Sequence, residues 1–320
     1  MNASGSFSCV RGLCVWLLLS LIPGCFSPQK AFAPKNHIRY YLDHGGRERT
    51  FLVYEPATLN EKERLPLLLC LHGGGGTDRG MVSLTNDRFN ELADRYGFLV
   101  VYPRGIDKGW NDGREGDHST AASEGIDDVG FFRTLIHELG KKYPVDEERI
   151  FTCGISNGGF MSNRLACELP ELISGAALVA ATMGREYATL CRPAEGVDIL
   201  LINGTDDPLV SWEGGPVRVL GQERGEVLSA REAVRHWVKI NGCDTVPVIE
   251  HLPDRDPDDG TTVACYRYFH QNGGNEVVLV EVQGGGHTWP GGRQYLGERI
   301  IGKTSRDIKA CDLIWEFFNR

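Results

Sequence analysis

A serine at the centre of a glycine-flanked pentapeptide is the residue of this sequence best suited to nucleophilic chemistry. The pentapeptide is Gly154-Ile155-Ser156-Asn157-Gly158, which follows the strand-like run Arg149–Cys153 and opens a helical pattern. A strand-to-helix turn of this kind lifts a serine Oγ above a sheet, and small flanking residues are needed because the backbone is crowded there. The helix N-terminus also favours developing negative charge. Ser156 is therefore the candidate nucleophile, and the alternative is a serine that only caps a helix.

A nucleophilic serine needs a base that is oriented by an acid. Where the serine lies on a strand-to-helix turn of this type, the three residues occur along the chain in the order serine, acid, histidine. Among the four histidines after Ser156, His287 alone follows the last strand-like run, in a glycine-rich loop that can carry an imidazole over the sheet. We expect His287 to be the general base. The acid should follow the strand-like run Asp198–Ile202, where Asp206 and Asp207 are adjacent, and the pattern does not choose between them.

Backbone N–H groups are also needed to hold the negative oxygen that forms during acyl transfer. One should come from Asn157, which follows the serine. Another should come from the glycine run after the strand-like segment Pro66–Leu71, at Gly73 and Gly74. A phosphate-binding loop is the alternative for this run, but neither of the usual glycine-rich phosphate patterns occurs around it.

The elements that must position these residues alternate between unbroken apolar runs and helical patterns. Unbroken apolar runs indicate strands buried on both faces, as in a parallel sheet. Strand and helix alternating in this way predict an α/β class fold with a mostly parallel, doubly wound sheet in one domain. The turn-rich stretch 245–270 predicts a small hairpin attached to that sheet.

The predicted strands begin with a pair expected to be antiparallel. They are Ile38–Leu42, Thr50–Tyr54, Pro66–Leu71, Gly97–Tyr102, Arg149–Cys153, Gly175–Ala181, Asp198–Ile202 and Glu276–Val282. The predicted helices are Asp87–Tyr96, Asp127–Tyr143, Gly158–Glu168, Val227–Asn241 and Thr304–Phe318. We expect the two aspartates at the start of the second helix, Asp127 and Asp128, to be structural, because the helix dipole favours acidic residues there.

Composition and the N-terminal segment indicate an exported globular protein. The 320 residues carry 34 Lys and Arg against 43 Asp and Glu, a formal net charge of −9, which argues against nucleic-acid binding. A hydrophobic content of 41% excludes a disordered chain. The apolar run Gly12–Ile22 is too short to span a membrane and fits a signal peptide. We expect residues 1–33 to be removed, or residues 1–24 with lipidation and membrane attachment at Cys25, leaving one domain over 34–320.

Export would permit disulfides, and seven cysteines lie beyond the predicted signal. Because seven is odd, at least one is unpaired. Cys70 and Cys153 lie inside strand-like runs, where a free cysteine acts as a small hydrophobic residue. The two pairings to test first join Cys167 with Cys191 and Cys243 with Cys265.

Six segments of the sequence together resemble one family of enzymes. They are His72–Gly76, Trp110–Gly113, Asp127–Phe132, Gly154–Met161, Gly204–Val210 and Gly285–Gly292. Together they are similar to the polyhydroxybutyrate depolymerase family of secreted α/β-hydrolases, close to its lipoprotein esterases and related to feruloyl and acetylxylan esterases. The similarity runs from about Leu65 to the C-terminus. It implies the α/β-hydrolase fold and a serine esterase that needs no cofactor and no metal.

The resemblance also implies a role for each matching residue. Ser156 would attack the ester carbonyl and His287 would move the proton. Asp207 precedes proline in the family's Gly-Thr-x-Asp-Pro pattern, so the resemblance favours it over Asp206 as the acid. Trp110 and Trp289 are aromatic residues close to the matching motifs, and we expect them to line the substrate pocket, the alternative being packing beneath loops.

The partner implied is a small or oligomeric ester. Polyhydroxybutyrate-type oligomers and feruloyl or acetyl esters of polysaccharides all fit, and insoluble polymer is less favoured because no Thr-rich linker or polymer-binding domain follows the catalytic one. Two other functions are weighed against an esterase. A serine peptidase on the same fold would be expected to carry a propeller or large cap domain, and nothing in the sequence resembles one. A non-catalytic polymer-binding module would not need the serine, histidine and acid together.

Overall fold

The computed structural model describes residue 1 and residues 37–59 and 63–320. The predicted signal segment and Cys25 lie outside these residues. No helix within the described part of the chain is both long and apolar enough to cross a membrane.

One large sheet dominates the described part of the chain, and a two-stranded hairpin, β8–β9, stands apart from it. In chain order the strands are β1 (His37–His44), β2 (Arg47–Tyr54), β3 (Leu65–Leu71), β4 (Leu99–Pro103), β5 (Val145–Ile155), β6 (Gly175–Val179), β7 (Asp198–Gly204), β8 (Gly215–Val219), β9 (Gln222–Val227), β10 (Val248–His251), β11 (Thr262–Tyr268) and β12 (Val277–Gln283). The helices are α1 (Asp78–Leu84), α2 (Arg88–Tyr96), α3 (Thr120–Ser123), α4 (Asp128–Lys142), α5 (Asn157–Glu168), α6 (Tyr187–Leu190), α7 (Ala230–Asn241), α8 (Glu298–Ile301) and α9 (Ala310–Phe318).

The large sheet has the strand order β1-β2-β4-β3-β5-β6-β7-β12-β11-β10. Its centre, from β4 to β12, is parallel throughout. An antiparallel pair extends the sheet at each edge, β1–β2 on one side and β10–β11 on the other. The sequence therefore predicted the opening pair, the parallel centre and the late hairpin correctly. This is the α/β-hydrolase type of fold.

Apolar side chains of the central strands bury themselves on both faces of the sheet. Every residue of β3 is buried. Because side chains alternate along a strand, Leu67 and Leu69 join the core on one face while Leu68 and Cys70 join the core on the other. Parallel strands covered on both sides leave their carboxyl ends as the edge from which loops can reach a ligand.

Two predicted helices begin later than expected, each because its first residues have other partners. The predicted Thr304 start fails because the backbone of Lys303 and Ser305 accepts hydrogen bonds from Gly286 and Gly291, and α9 begins only at Ala310. The predicted start at Val227 fails because that residue ends β9. Helix α7 instead follows Ser229, whose side chain forms a capping box with Glu232.

The cysteines follow one of the two predicted pairings. Cys167 and Cys191 form a disulfide, and Cys70 and Cys153 are buried thiols opposite each other on β3 and β5, as expected. The pairing of Cys243 with Cys265 is wrong. The Cys243 thiol donates to the Asn275 carbonyl at 3.3 Å. Cys265 lies within β11, between Glu250 on β10 and Val280 on β12, so its position is fixed by the sheet.

Candidate active site

Ser156 occupies a sharp turn between β5 and α5. Its backbone has φ 54° and ψ −123°, outside the left-handed helical region as well as the right-handed one. A Cβ added at Gly154 would lie 2.5 Å from the carbonyl carbon of Gly158, and one added at Gly158 would lie 2.5 Å from the Leu71 oxygen. The two flanking glycines are therefore required by close backbone approach, and the turn leaves the Ser156 side chain on the wall of a cavity.

His287 lies on the loop after β12 and shares that cavity with Ser156. Its Nδ1 donates to Asp207 Oδ2 at 2.7 Å, and both side chains are at most 3% exposed. The other carboxylate oxygen, Oδ1, accepts the backbone N–H groups of Leu209 and Val210, each at 2.8 Å. The structure thus places Asp207, and not the exposed Asp206, against the imidazole. Nδ1–H donation to a carboxylate leaves Nε2 as the acceptor needed in a base.

The glycine run after β3 lies alongside the serine turn. A Cβ on Gly73 would come within 3.5 Å of the Ser156 Cβ, and one on Gly74 within 3.8 Å of the Asn157 Cβ. The predicted oxyanion residues Gly73, Gly74 and Asn157 are thus brought to one place with Ser156. The loop is held from outside, because Gly75 N–H donates to the Lys108 carbonyl at 2.8 Å. Lys108 lies in a tight turn, with φ 62°.

His72 fixes the beginning of the same loop. Its Nδ1 donates to the Gly73 carbonyl at 2.8 Å, and its Nε2 accepts the Gly105 N–H at 3.0 Å. This pattern requires a neutral ring with the proton on Nδ1. Burial lowers the pKa of His72 to about 4, so the neutral form is maintained near neutral pH.

The segment Trp110–Asp112 links the glycine loop to the serine turn. Trp110 Nε1 donates to the His72 carbonyl at 2.9 Å, and the Trp110 backbone exchanges two hydrogen bonds with the Asn157 side chain. Asp112 accepts from Asn157 Nδ2 at 2.6 Å and also pairs with Arg114 and His118. Sequence reasoning missed this network, although Trp110–Gly113 was one of the motifs that carried the resemblance.

Ser156 and His287 open into an apolar cavity of about 510 Å³, here called the serine cavity. Its mouth is rimmed by exposed apolar side chains from two segments, with Leu220 at the tip of the β8–β9 hairpin and Leu296 and Ile300 near α8. The volume is in the range of about 300–1,000 Å³ typical of small-molecule sites. Exposed apolar side chains grouped around a cavity are typical of a binding surface.

A second cavity, here called the polar cavity, is also lined by the glycine loop and has a volume of about 370 Å³. It shares Gly74, Gly75, His118 and Arg224 with the serine cavity, so the two adjoin. Its remaining lining is polar or charged apart from a glycine, namely Asp107, Lys108, Gly109, Asp117, Ser119, Thr120 and Ser123. The described residues contain no cluster of three or more His, Cys, Asp or Glu side chains placed to hold a metal ion.

The prediction that Trp110 and Trp289 line the pocket is wrong, since both are fully buried (0% exposed). Trp110 packs against His72, with ring centroids 4.9 Å apart. Trp289 packs edge-on against Phe89, with centroids 6.0 Å apart. Both support loops from beneath, and the aromatic residue that does line the serine cavity is Tyr295, whose hydroxyl donates to the His287 carbonyl at 2.9 Å.

Comparison with known proteins identifies esterases among the relatives of this chain. Residues 50–210 match the family model described as esterase PHB depolymerase. The chain is 30% identical over 279 residues to NocK of Nocardia uniformis subsp. tsuyamanensis, an esterase by name, covering 85% of this chain and 79% of that protein. It is 33% identical over 245 residues to feruloyl esterase B of Piromyces equi, covering 75% of this chain but only 42% of that protein. Among solved structures, acetyl xylan esterase from Aspergillus awamori shares the fold, with a TM-score of 0.56, 18% identity and coverage of 92% and 99% of the two chains.

Proposed function

The chain belongs to the esterase PHB depolymerase family, and we propose that it hydrolyses carboxylic esters through a covalent acyl-enzyme on Ser156. The observation that carries the proposal is the Asp207–His287 hydrogen bond of 2.7 Å, together with the lining of one cavity by both His287 and Ser156. An acid-oriented imidazole beside a serine on a strand-to-helix turn is the arrangement that acyl transfer requires.

Each residue then has a defined step. His287 Nε2 takes the proton from Ser156 Oγ as that oxygen attacks the ester carbonyl carbon, and the carbonyl oxygen becomes an alkoxide. Backbone N–H groups of the Gly73–Gly74 segment and of Asn157 hold the alkoxide, and collapse of the intermediate expels the alcohol, which receives the proton from His287. Water, deprotonated by His287, attacks the acyl-enzyme by the same route. Asp207 stabilises the imidazolium that forms in both halves.

The two adjoining cavities support an ester with one apolar and one polar part. The apolar rim of the serine cavity suits a hydrocarbon or aromatic group, while the polar cavity offers charged and hydroxyl side chains to a hydroxylated group. Two relatives are named as a feruloyl esterase and an acetylxylan esterase, which by name act on feruloyl esters and on acetylxylan. We include polysaccharide esters and polyhydroxybutyrate-type oligomers in the proposed substrate range.

Export forms part of the proposal. The sequence of residues 1–33 fits a signal peptide, and lipidation of Cys25 would attach the mature chain to a membrane. The Cys167–Cys191 disulfide supports an oxidising compartment. Mass spectrometry of the protein recovered from its native cell fractions would show whether residue 34 or a lipidated Cys25 is the first residue.

The test of the mechanism compares Ser156→Ala with a control variant, Ser174→Ala. The Ser174 hydroxyl lies outside both cavities and donates to the Glu148 carbonyl. We expect Ser156→Ala to lose at least about 10³-fold in kcat on p-nitrophenyl butyrate and to escape labelling by a fluorophosphonate probe. Ser174→Ala should keep both properties. Full activity in a folded Ser156→Ala protein would refute the proposal, and a panel of feruloyl, acetyl and hydroxybutyryl esters beside a peptide substrate would define the specificity.

A further inference from the structure

Asp112 is a buried carboxylate that the proposed chemical steps do not use. Its side chain is 0% exposed and is contacted by three different side chains. Arg114 donates through Nη2 at 2.7 Å, His118 Nε2 lies 2.9 Å away, and Asn157 Nδ2 donates at 2.6 Å. A buried charge is costly unless it is paired and hydrogen-bonded. The number of polar contacts to the Asp112 carboxylate therefore indicates that this group is held in its charged form.

The surroundings of Asp112 keep it ionised. Burial by itself would raise the pKa of Asp112, but the positive charge of Arg114 and the hydrogen bond from His118 outweigh burial and hold the pKa well below its usual value. His118 Nδ1 faces the Gly116 carbonyl at 3.1 Å, so both of its ring nitrogens face oxygen atoms. Arg114 and His118 both line the serine cavity, and the Asp112 carboxylate lies between them.

The position of Asn157 gives this cluster its significance. Asn157 is the first residue of α5, and its backbone N–H is one of the two proposed oxyanion donors. Its side chain is buried and has no partners other than Trp110 and Asp112 among the described residues. Trp110 in turn donates to the His72 carbonyl, at the start of the loop that supplies the other oxyanion donor. Both donors are thus connected to one short segment, Trp110–Asp112.

We infer that Asp112 is a positioning residue for the oxyanion hole, which it holds in its reactive geometry through the side chain of Asn157. The inference rests on the proposed esterase function. Asp112 touches neither the ester nor Ser156. Its role is to keep the Asn157 amide in a single orientation and so to fix the register of the 110–112 segment between the two donor elements. Hydrogen-bond donors aimed at a developing oxyanion lose their effect when they are displaced, because their value lies in being correctly placed before the reaction.

The first test is Asp112→Asn, which keeps the side-chain volume but replaces one acceptor oxygen with an NH₂ donor. A neutral amide cannot accept from Arg114, His118 and Asn157 together, so at least one donor is left facing another donor. We expect kcat on p-nitrophenyl butyrate, per active site titrated with a fluorophosphonate, to fall about 10- to 100-fold while KM changes less than about threefold. The inhibition constant of a boronic acid, which forms a tetrahedral adduct on the serine, should rise by a similar factor.

A second variant, Asn157→Ala, removes the same contact from its other end and leaves Asp112 paired with Arg114 and His118. It keeps the backbone N–H and preserves the buried ion pairs. It therefore tests the positioning role even if Asp112→Asn does not fold. We expect a fall in kcat of the same size. The double variant should be no worse than either single variant, because both changes break one interaction.

The control is Asp198→Asn, which also disrupts a partly buried aspartate–arginine pair, with Arg320, but lies at the start of β7 and has no contact with Asn157 or the 110–112 segment among the described residues. It should lower the melting temperature and leave kcat per titrated site within about twofold of wild type. If wild type turns over esters and both Asp112→Asn and Asn157→Ala keep wild-type kcat per site, the positioning role is overturned while the proposed function stands. If wild type hydrolyses no ester, both the proposed esterase function and the positioning role are refuted. A loss of kcat in Asp198→Asn equal to that in Asp112→Asn would also overturn the positioning role.

Discussion

Two buried aspartate–arginine pairs lie within a short distance along the chain but have opposite electrostatics. Asp128, at the start of α4, pairs with Arg49 of β2 at 2.6 Å, and Asp112 pairs with Arg114 at 2.7 Å. Burial raises the pKa of Asp128 and Arg49 only partly offsets it. The pKa of Asp112 is lowered, because the charge of Arg114 and the contact with His118 together outweigh a comparable burial. The same pair of residue types therefore produces opposite shifts.

The two buried pairs differ in the other groups that their aspartates contact. Asp128 joins a helix to a strand through Arg49 and also accepts the Asn111 N–H, but it has no contact with Asn157 among the described residues. Arg49 lies over the Phe131 ring, 3.8 Å from its centroid, which places the whole pair inside the core. Asp112 instead organises side chains on the cavity wall. A buried ion pair is thus no indication of function by itself, and the identity of its other partners decides.

The largest effect is expected at a third buried carboxylate, Asp207, which contacts the imidazole directly. Asp207→Asn should lower kcat about 10³- to 10⁴-fold, because an amide favours the wrong imidazole tautomer and does not stabilise the imidazolium. Asp206→Asn, at the exposed neighbour, should change kcat less than about twofold. Steady-state kinetics on p-nitrophenyl butyrate measures both, and equal losses in the two variants would remove the distinction between contacting and neighbouring carboxylates.

Asp128→Ala should lower the free energy of unfolding by about 3–5 kcal/mol, because it leaves the Arg49 guanidinium buried without its partner. Urea denaturation followed by circular dichroism measures this loss. At temperatures where the variant is folded, activity per titrated site should fall less than in Asp112→Asn, because the Asn157 side chain keeps both of its partners. A stable but inactive Asp128→Ala protein would contradict the division between a structural pair and a functional one.

His72 should make stability depend on pH. Its pKa is about 4 in the folded chain and 6.5 in the unfolded one, so the unfolded state binds the proton first as pH falls. The stabilisation is complete above pH 6.5 and is lost as pH falls from 6.5 to 4, by about 3 kcal/mol in total. His72→Gln cannot titrate, so its unfolding free energy should fall less than that of wild type over this interval. Parallel pH profiles for the two proteins would contradict the assignment.

The smallest effect is expected at Asp127, the exposed neighbour of Asp128. Its side chain caps α4 by accepting the Gly130 N–H at 2.8 Å. Asp127→Ala should cost about 1 kcal/mol of unfolding free energy, the usual value of a lost N-cap, and leave kcat unchanged. Thermal denaturation would show the loss, and a loss as large as that of Asp128→Ala would mean that exposure does not separate the two aspartates.

The sequence predicted most of the sheet, because its central strands are unbroken apolar runs. The serine, histidine and glycine positions were also readable, since their local signals are a turn, a loop and a backbone that tolerates no side chain. Helix α1 and the β8–β9 hairpin were missed. The hairpin carries few buried residues and is defined by contacts with distant segments such as Gly116–His118, whose atoms Arg224 contacts.

Side-chain environment was less predictable than backbone position. Nothing local distinguishes a tryptophan that lines a pocket from one that supports a loop, and Trp110 and Trp289 proved to be the second kind. The sequence assigned no role to Asp112, because its partner Asn157 is 45 residues away. The Cys243–Cys265 prediction failed for the same reason, since disulfide pairing depends on which distant segments of the chain lie next to each other in the fold.

The backbone conformation of Ser156 lowers the stability of the folded chain. A non-glycine residue at φ 54° and ψ −123° is destabilised by about 1–3 kcal/mol relative to an ordinary conformation. Ser156→Gly should therefore give an inactive protein that is harder to unfold than the active one. Selection for thermal robustness alone would remove the nucleophile, so activity at this position is maintained against the chain's own stability.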